Sequence, residues 1–108
     1  MTEQTRKELD IIIKTIADTG MASKIILFGS IARGEERPDS DIDLCVLTPI
    51  TDRRAIDISI DLNMRLLGVK KMPLDLFAYN QDVFAQHAVR ATSFEHLINT
   101  EGVVVYER

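Results

Sequence analysis

The chain has 108 residues, of which 45% are apolar and 28% charged, a composition typical of a folded domain rather than a disordered segment. Its net charge of −4, with no Lys/Arg cluster larger than a pair, argues against direct binding to nucleic acid. No apolar run approaches the ~20 residues that span a bilayer, and the polar N-terminus has no signal-peptide core. The single cysteine, Cys45, fits a reducing compartment. We therefore expect one cytoplasmic domain over residues 1–108.

The first third of the chain predicts two helices around a strand. Apolar residues recur at helical spacing from Leu9 to Ile16, and Gly20 marks the end of that helix. Lys24–Phe28 is β-branched and aromatic, as in a buried strand. A brief helix over residues 30–33 and the polar loop GEERPDS follow.

The middle of the chain predicts two strands joined by a helix. Ile42–Thr48 has apolar residues on both faces, which is typical of a strand covered on both sides. Residues 54–67 alternate apolar and polar, which also allows a strand, but that strand would be about 40 Å long at ~3.3 Å per residue. We predict a helix there, because two covered strands need a crossover. Residues 72–79 form the next predicted strand, with Pro73 at its start.

The last third predicts two helices and a strand. Asn80 caps a helix that runs through Arg90, and Thr92 with Glu95 forms a capping box for a helix ending near Gly102. The run at residues 103–106 predicts a final strand. The order of elements indicates an α/β (α+β) fold, with a small mixed sheet flanked by helices.

Asp41 and Asp43 stand one residue apart at the start of the second predicted strand. On a strand their side chains share a face about 6.5 Å apart, so both can reach a pair of divalent cations. Oxygen ligands favour Mg²⁺ over zinc. Taken alone, the same pattern also fits a turn that leads into a strand.

Asp75 lies inside the apolar run Leu74-Asp75-Leu76-Phe77. A lone ionised carboxylate buried in a strand costs several kcal/mol unless it is paired or bound to metal. The pattern therefore predicts either a buried ion pair with Arg or Lys, or a third metal ligand beside Asp41 and Asp43.

Gly29 and Ser30 follow the first predicted strand. Glycine permits a close approach of ligand to backbone, and Ser30, at the expected N-cap of the next helix, lies where free N–H groups favour phosphate. By itself this pair is more often a turn.

The order Gly29-Ser30, ten intervening residues, then Asp41-Ile42-Asp43 resembles the signature of the DNA-polymerase-β-like nucleotidyltransferases. The string GSIARGEERPDSDIDLCVL, the short length and the ending EGVVVYER resemble the minimal nucleotidyltransferase family, antitoxins that are partners of HEPN toxins. The resemblance implies the polymerase-β-like fold. It also implies that Asp41, Asp43 and Asp75 are catalytic residues holding two Mg²⁺ ions, and that Gly29 and Ser30 grip the triphosphate of ATP.

The function implied by the resemblance is transfer of AMP from ATP to a hydroxyl, expected to be a tyrosine, of a cognate HEPN toxin. Two alternatives stay open: an antitoxin that acts by binding alone, and a small-molecule nucleotidyltransferase that works with a separate helical subunit. Arg33 and Ser40 are further candidates for nucleotide contact, although Arg33 also fits a solvated surface. The apolar residues Val83, Phe84 and Ala88 lead us to expect a homodimer or a complex with the toxin.

Overall fold

A mixed four-stranded sheet organises the protein, which is described over residues 1–108 by a computed structural model. The strands are β1 (Lys24–Phe28), β2 (Ile42–Thr48), β3 (Leu74–Asn80) and β4 (Val103–Glu107). The helices are α1 (Glu3–Asp18), α2 (Gly29–Ala32), α3 (Ala55–Leu66), α4 (Gln81–Ala88) and α5 (Phe94–Glu101). No helix has the length and apolar character needed to cross a bilayer.

The strand order is β3-β2-β1-β4. β1 runs antiparallel to both β2 and β4, whereas β2 and β3 are parallel. This arrangement, with helices packed on the sheet, confirms the predicted fold class.

Separate cores cover the two faces of the sheet, as the sequence of β2 predicted. Leu44 and Val46 face the larger core, formed with α1 and α3, and Cys45 faces the smaller core, formed with α4 and α5. The smaller core also contains Phe84 and Ala88. The expectation that these two residues need an outside partner was therefore wrong.

The ambiguous segment at residues 54–67 is helix α3, so the alternative of a long strand is wrong. Ile58, Leu62 and Leu66 are buried along one side of the helix, and the crossover that α3 provides makes β2 and β3 parallel. The exposed apolar residues of α3 lie on another side and are Ile56, Ile60, Met64 and, one residue past the helix, Leu67.

Several predicted boundaries shift by a few residues. Ser93, and not Thr92, caps α5, since its hydroxyl accepts the His96 N–H at 3.0 Å. Helix α4 ends at Ala88, before Arg90. Strand β3 begins after Pro73, whose carbonyl instead accepts the Ile42 N–H at 2.9 Å.

Candidate functional site

Two carboxylates meet on neighbouring strands at one end of the sheet. The register of β2 and β3 pairs Asp43 with Asp75, and the register of β1 and β2 pairs Phe28 with Asp43. Paired residues of adjacent strands project from the same face, with the strands about 4.8 Å apart. The structure therefore brings the second and third predicted acids together.

Asp75 differs from its predicted setting in one respect. It is the second residue of β3 and is exposed, not buried within an apolar strand. No Lys, Arg or His lies within ion-pair distance of it. The prediction of a buried ion pair is wrong, because β3 begins only one residue earlier and leaves this end of the sheet open.

Asp41 lies one residue before β2 and is also exposed, so it does not share the strand geometry that the sequence predicted. Its charge still reaches Asp43. The pKa of Asp43 is raised first by partial burial, then by the negative charges of Asp75 and Asp41, and the positive charge of Arg33 offsets part of the rise. The charges of Asp75 and Asp41 thus both act on the carboxylate of Asp43.

Gly29 makes room for the carboxylate of Asp43. Its φ of +79° lies in the left-handed region that glycine adopts without strain. A Cβ at this position would lie 2.2 Å from Asp43 Oδ2 and 3.0 Å from its Cγ. The close approach of the two residues therefore requires glycine for both reasons.

Ser30, Arg33 and Ser40 lie on the segment that links Gly29 to the acids. The Ser30 and Ser40 hydroxyls are 3.5 Å apart, and Ser40 Oγ accepts the Arg37 N–H at 2.7 Å. Helix α2 begins at Gly29 with Phe28 as its N-cap, so Ser30 lies in the first turn and is not the N-cap that we predicted. The exposed Arg33 side chain pairs with Glu35 at 3.5 Å.

The acids suit a hard cation but are not closed around one. No group of three His, Cys, Asp or Glu side chains is placed to hold a metal ion. The carboxylate oxygens are the ligands that Mg²⁺ prefers, so the chemistry of these residues fits such an ion.

Comparison with known proteins identifies the family. Residues 10–108 match the family described as polymerase beta, nucleotidyltransferase. The chain belongs to the polymerase-β nucleotidyltransferase family. This nucleotidyltransferase is 32% identical over 87 residues to a protein of Methanocaldococcus jannaschii named "Putative protein adenylyltransferase", a match that covers 81% of each chain.

The fold of this nucleotidyltransferase is also similar to a solved structure, described as a toxin–antitoxin with AMP-PNP. The TM-score is 0.59 at 22% identity, and the match covers 92% of this chain and 73% of the other. These similarities agree with the minimal nucleotidyltransferase resemblance of the central motif.

A cluster of aromatic rings lies next to the paired acids of this nucleotidyltransferase, since Phe28 pairs with Asp43 and Phe77 follows Asp75 by two residues on β3. The ring centroids of Phe28 and Phe77 are 5.6 Å apart in an edge-to-face arrangement. The ring centroid of Phe94, on α5, lies 5.9 Å from that of Phe28 and 6.2 Å from that of Phe77. A cavity of about 180 Å³ between α2 and α5 is lined by Gly29, Phe94 and their neighbours. The sequence did not indicate Phe94, because the packing of α5 places it there.

Other candidate groups are structural. Cys45 is buried, and burial raises the pKa of its thiol to about 12. His87 Nδ1 lies 3.1 Å from Glu95, and His96 Nδ1 lies 2.8 Å from the Ala88 carbonyl.

The largest cavity, about 530 Å³, lies around Lys24 and Leu47, at the opposite end of β1 and β2 from the acids.

Proposed function

We propose that this nucleotidyltransferase transfers AMP from ATP to a tyrosine hydroxyl of a HEPN toxin and so neutralises the toxin. The observation that carries the proposal is the pairing of Asp43 with Asp75 beside Gly29. The relative named as a protein adenylyltransferase supports a protein acceptor. The toxin–antitoxin structure with AMP-PNP supports an adenine nucleotide and a toxin partner.

In this proposal Asp41, Asp43 and Asp75 are catalytic residues that hold two Mg²⁺ ions. When bound, the ions would lower the pKa of the attacking hydroxyl and neutralise charge on the leaving pyrophosphate. Gly29, Ser30, Arg33 and Ser40 would bind the triphosphate. The positive charge of Arg33 already acts on Asp43, and the same guanidinium would attract the negatively charged triphosphate.

The proposed reaction is an in-line displacement. The acceptor oxygen forms a bond to the α-phosphorus of ATP as the bond to the bridging oxygen of pyrophosphate breaks. Asp75, exposed at the open end of the sheet, would orient the acceptor hydroxyl and take its proton. The products are an AMP-modified side chain and pyrophosphate, and the protein contributes mainly position and charge.

The test is an incubation of the protein with Mg²⁺, labelled ATP and the folded product of the neighbouring gene. Label at the α-phosphate should appear on the partner, whereas label at the γ-phosphate should not, because pyrophosphate leaves. Replacement of the acceptor tyrosine by phenylalanine should abolish labelling. Absence of α-label from a folded partner would contradict the proposal.

The double variant Asp41→Asn with Asp43→Asn separates chemistry from binding. We expect it to lose labelling and to fail to protect cells that express the toxin. The control is Asp10→Asn with Asp52→Asn, which removes two exposed carboxylates elsewhere and should keep both activities. Full protection by the first variant would favour antitoxin action by binding alone. Labelling of small hydroxyl compounds, but not of the partner, would favour the small-molecule alternative.

A further inference from the structure

Glu8 is a buried acid on α1 that the proposed chemistry does not use. Its residue is 7% exposed. One carboxylate oxygen, Oε1, accepts the backbone N–H groups of Lys71 and Met72, the latter at 2.9 Å. No Lys, Arg or His lies within ion-pair distance of Glu8. The hydrogen-bond partners of this carboxylate are therefore backbone groups of a distant segment.

That segment leads directly into the strand that carries Asp75. Met72 precedes Pro73, whose carbonyl accepts the Ile42 N–H at 2.9 Å, and Ile42 stands between Asp41 and Asp43. A continuous path of two hydrogen-bonded steps thus joins Glu8 to the backbone between Asp41 and Asp43. The same path fixes where β3 begins beside β2.

The same end of α1 also contacts the loop before β2. The Thr5 hydroxyl donates to Glu36 Oε2 at 2.6 Å, and the Thr2 N–H donates to Glu36 Oε1 at 3.1 Å. Glu36 belongs to the loop that carries Ser40 and ends at Asp41. The first two turns of α1 therefore hold the segments before both acidic strands.

We propose that Glu8 is a positioning residue for the acidic site. Glu8 accepts hydrogen bonds from residues 71 and 72 and so sets the register of Asp75 against Asp43. That register determines the distance between the two carboxylates that would bind a cation together. The consequence for catalysis rests on the proposed AMP transfer, whereas the consequence for cation binding rests only on the cation site proposed at the three acids. Other residues of α1 that pack on the sheet, such as Ile12, are apolar and cannot replace these hydrogen bonds.

The test compares Glu8→Ala with Glu8→Gln. We expect Glu8→Ala to lower kcat for AMP transfer and to raise the Mg²⁺ concentration for half-maximal activity, each by about 10- to 100-fold, as for residues that orient metal ligands. The KM for ATP should stay within about twofold, because Glu8 makes no hydrogen bond to α2. Glu8→Gln keeps an acceptor oxygen for both N–H groups and should restore both values.

Two controls separate position from stability. Glu3→Ala removes an exposed carboxylate of the same helix and should leave both values unchanged. Ile16→Val weakens the larger core near the other end of α1 and should lower the melting temperature without changing the Mg²⁺ dependence. Loss of activity in Ile16→Val equal to that in Glu8→Ala, or failure of Glu8→Gln to restore activity, would overturn the proposal.

A measurement without turnover distinguishes this proposal from the proposed function. Calorimetric titration with Mn²⁺ should show about 10- to 100-fold weaker binding to Glu8→Ala than to the unchanged protein. If that weakening occurs while no AMP transfer is found, Glu8 keeps its role and the proposed function fails. Unchanged Mn²⁺ affinity would overturn the role of Glu8. If Glu8→Ala does not fold, Glu8→Asp takes its place, because the shorter side chain cannot reach the N–H groups of residues 71 and 72. Glu8→Asp should show the same loss of Mn²⁺ affinity, and an unchanged Mn²⁺ affinity would overturn the role of Glu8.

Discussion

At the scale of single residues, the contact between Gly29 and Asp43 decides the shape of the site. The carboxylate of Asp43 occupies space that a side chain on Gly29 would fill. The same carboxylate is partly buried, and the negative charges of Asp75 and Asp41 repel its own charge. The position of Asp43 is therefore unfavourable for its negative charge, and a bound cation would offset that cost.

Replacement of Gly29 by alanine should damage both stability and activity. The left-handed backbone of a residue with a side chain costs about 1–3 kcal/mol, and the new Cβ would displace the Asp43 carboxylate. We expect loss of AMP transfer by about 100-fold or more, since small displacements of reacting groups have effects of that size. Chemical denaturation and the labelling assay measure the two effects.

Gly34→Ala is the matched control. Gly34 has a similar φ of +76°, but a Cβ there would meet nothing within 4 Å. This variant should lose a similar amount of stability and keep its transfer activity. Equal loss of activity in both variants would show that the contact with Asp43 is not the cause.

The raised pKa of Asp43 predicts a pH dependence of stability. A raised pKa means that the ionised form is disfavoured in the folded protein, so stability is present below the ordinary value of 3.8 and falls as pH rises through the folded-state pKa. Asp43→Asn cannot ionise. Without divalent cations it should therefore melt at a higher temperature than the unchanged protein at neutral pH, with the gain vanishing below that ordinary value.

Thermal unfolding in chelator at the two pH values measures this difference. Asp10→Asn, an exposed carboxyl on α1, serves as the control and should show no comparable gain. Added Mg²⁺ should stabilise the unchanged protein more than Asp43→Asn, since a ligand that binds the folded state raises its stability. A lower melting temperature for Asp43→Asn at neutral pH would contradict the repulsion.

At the scale of elements, α3 closes the outer edge of the sheet. β3 is an edge strand, and such strands expose backbone groups that can pair with another chain. Here Ser59 Oγ accepts the Ala78 N–H at 2.7 Å, and Asn63 Nδ2 donates to the Leu76 carbonyl at 3.1 Å. Helix α3 thus provides hydrogen-bond partners for two of the backbone groups on the outer edge of β3.

Ser59→Ala should destabilise the protein by about 1–3 kcal/mol, because the buried Ala78 N–H would lose its partner. Urea denaturation measures the change. Thr15→Ala is the control, since that hydroxyl donates to the Ile11 carbonyl on an exposed part of α1, and we expect a change within about 0.5 kcal/mol. If the two variants lose the same free energy of unfolding, the hydrogen bond between Ser59 and the Ala78 N–H does not stabilise the protein more than the exposed hydroxyl of Thr15 does.

At the scale of the whole molecule, much of the fold could be predicted because local patterns agree with it. The helical spacing from Leu9 to Ile16 and the apolar run of β2 each match their final environment. The crossover rule resolved the segment at residues 54–67, where spacing alone allowed two answers. The spacing of Gly29, Ser30, Asp41 and Asp43 indicates the family from the sequence alone.

The remaining features depend on contacts between distant segments. The exposure of Asp75 follows from where β3 begins, which the Pro73 to Ile42 hydrogen bond sets. Phe94 reaches Phe28 and Phe77 only through the packing of α5. The position of Glu8 is visible in the sequence, because it lies four residues before Ile12, on the buried face of α1. An acid on such a face needs a polar partner.

The central claim is that Asp41, Asp43 and Asp75 together hold divalent cations beside the triphosphate. The most direct measurement is a crystal structure of the protein with Mg²⁺ and a non-hydrolysable ATP analogue. We predict carboxylate oxygens of all three residues at about 2.0–2.1 Å from the ions, with the triphosphate against Gly29 and Ser30. A cation that Asp75 does not contact, or a triphosphate bound away from Gly29, would contradict the account.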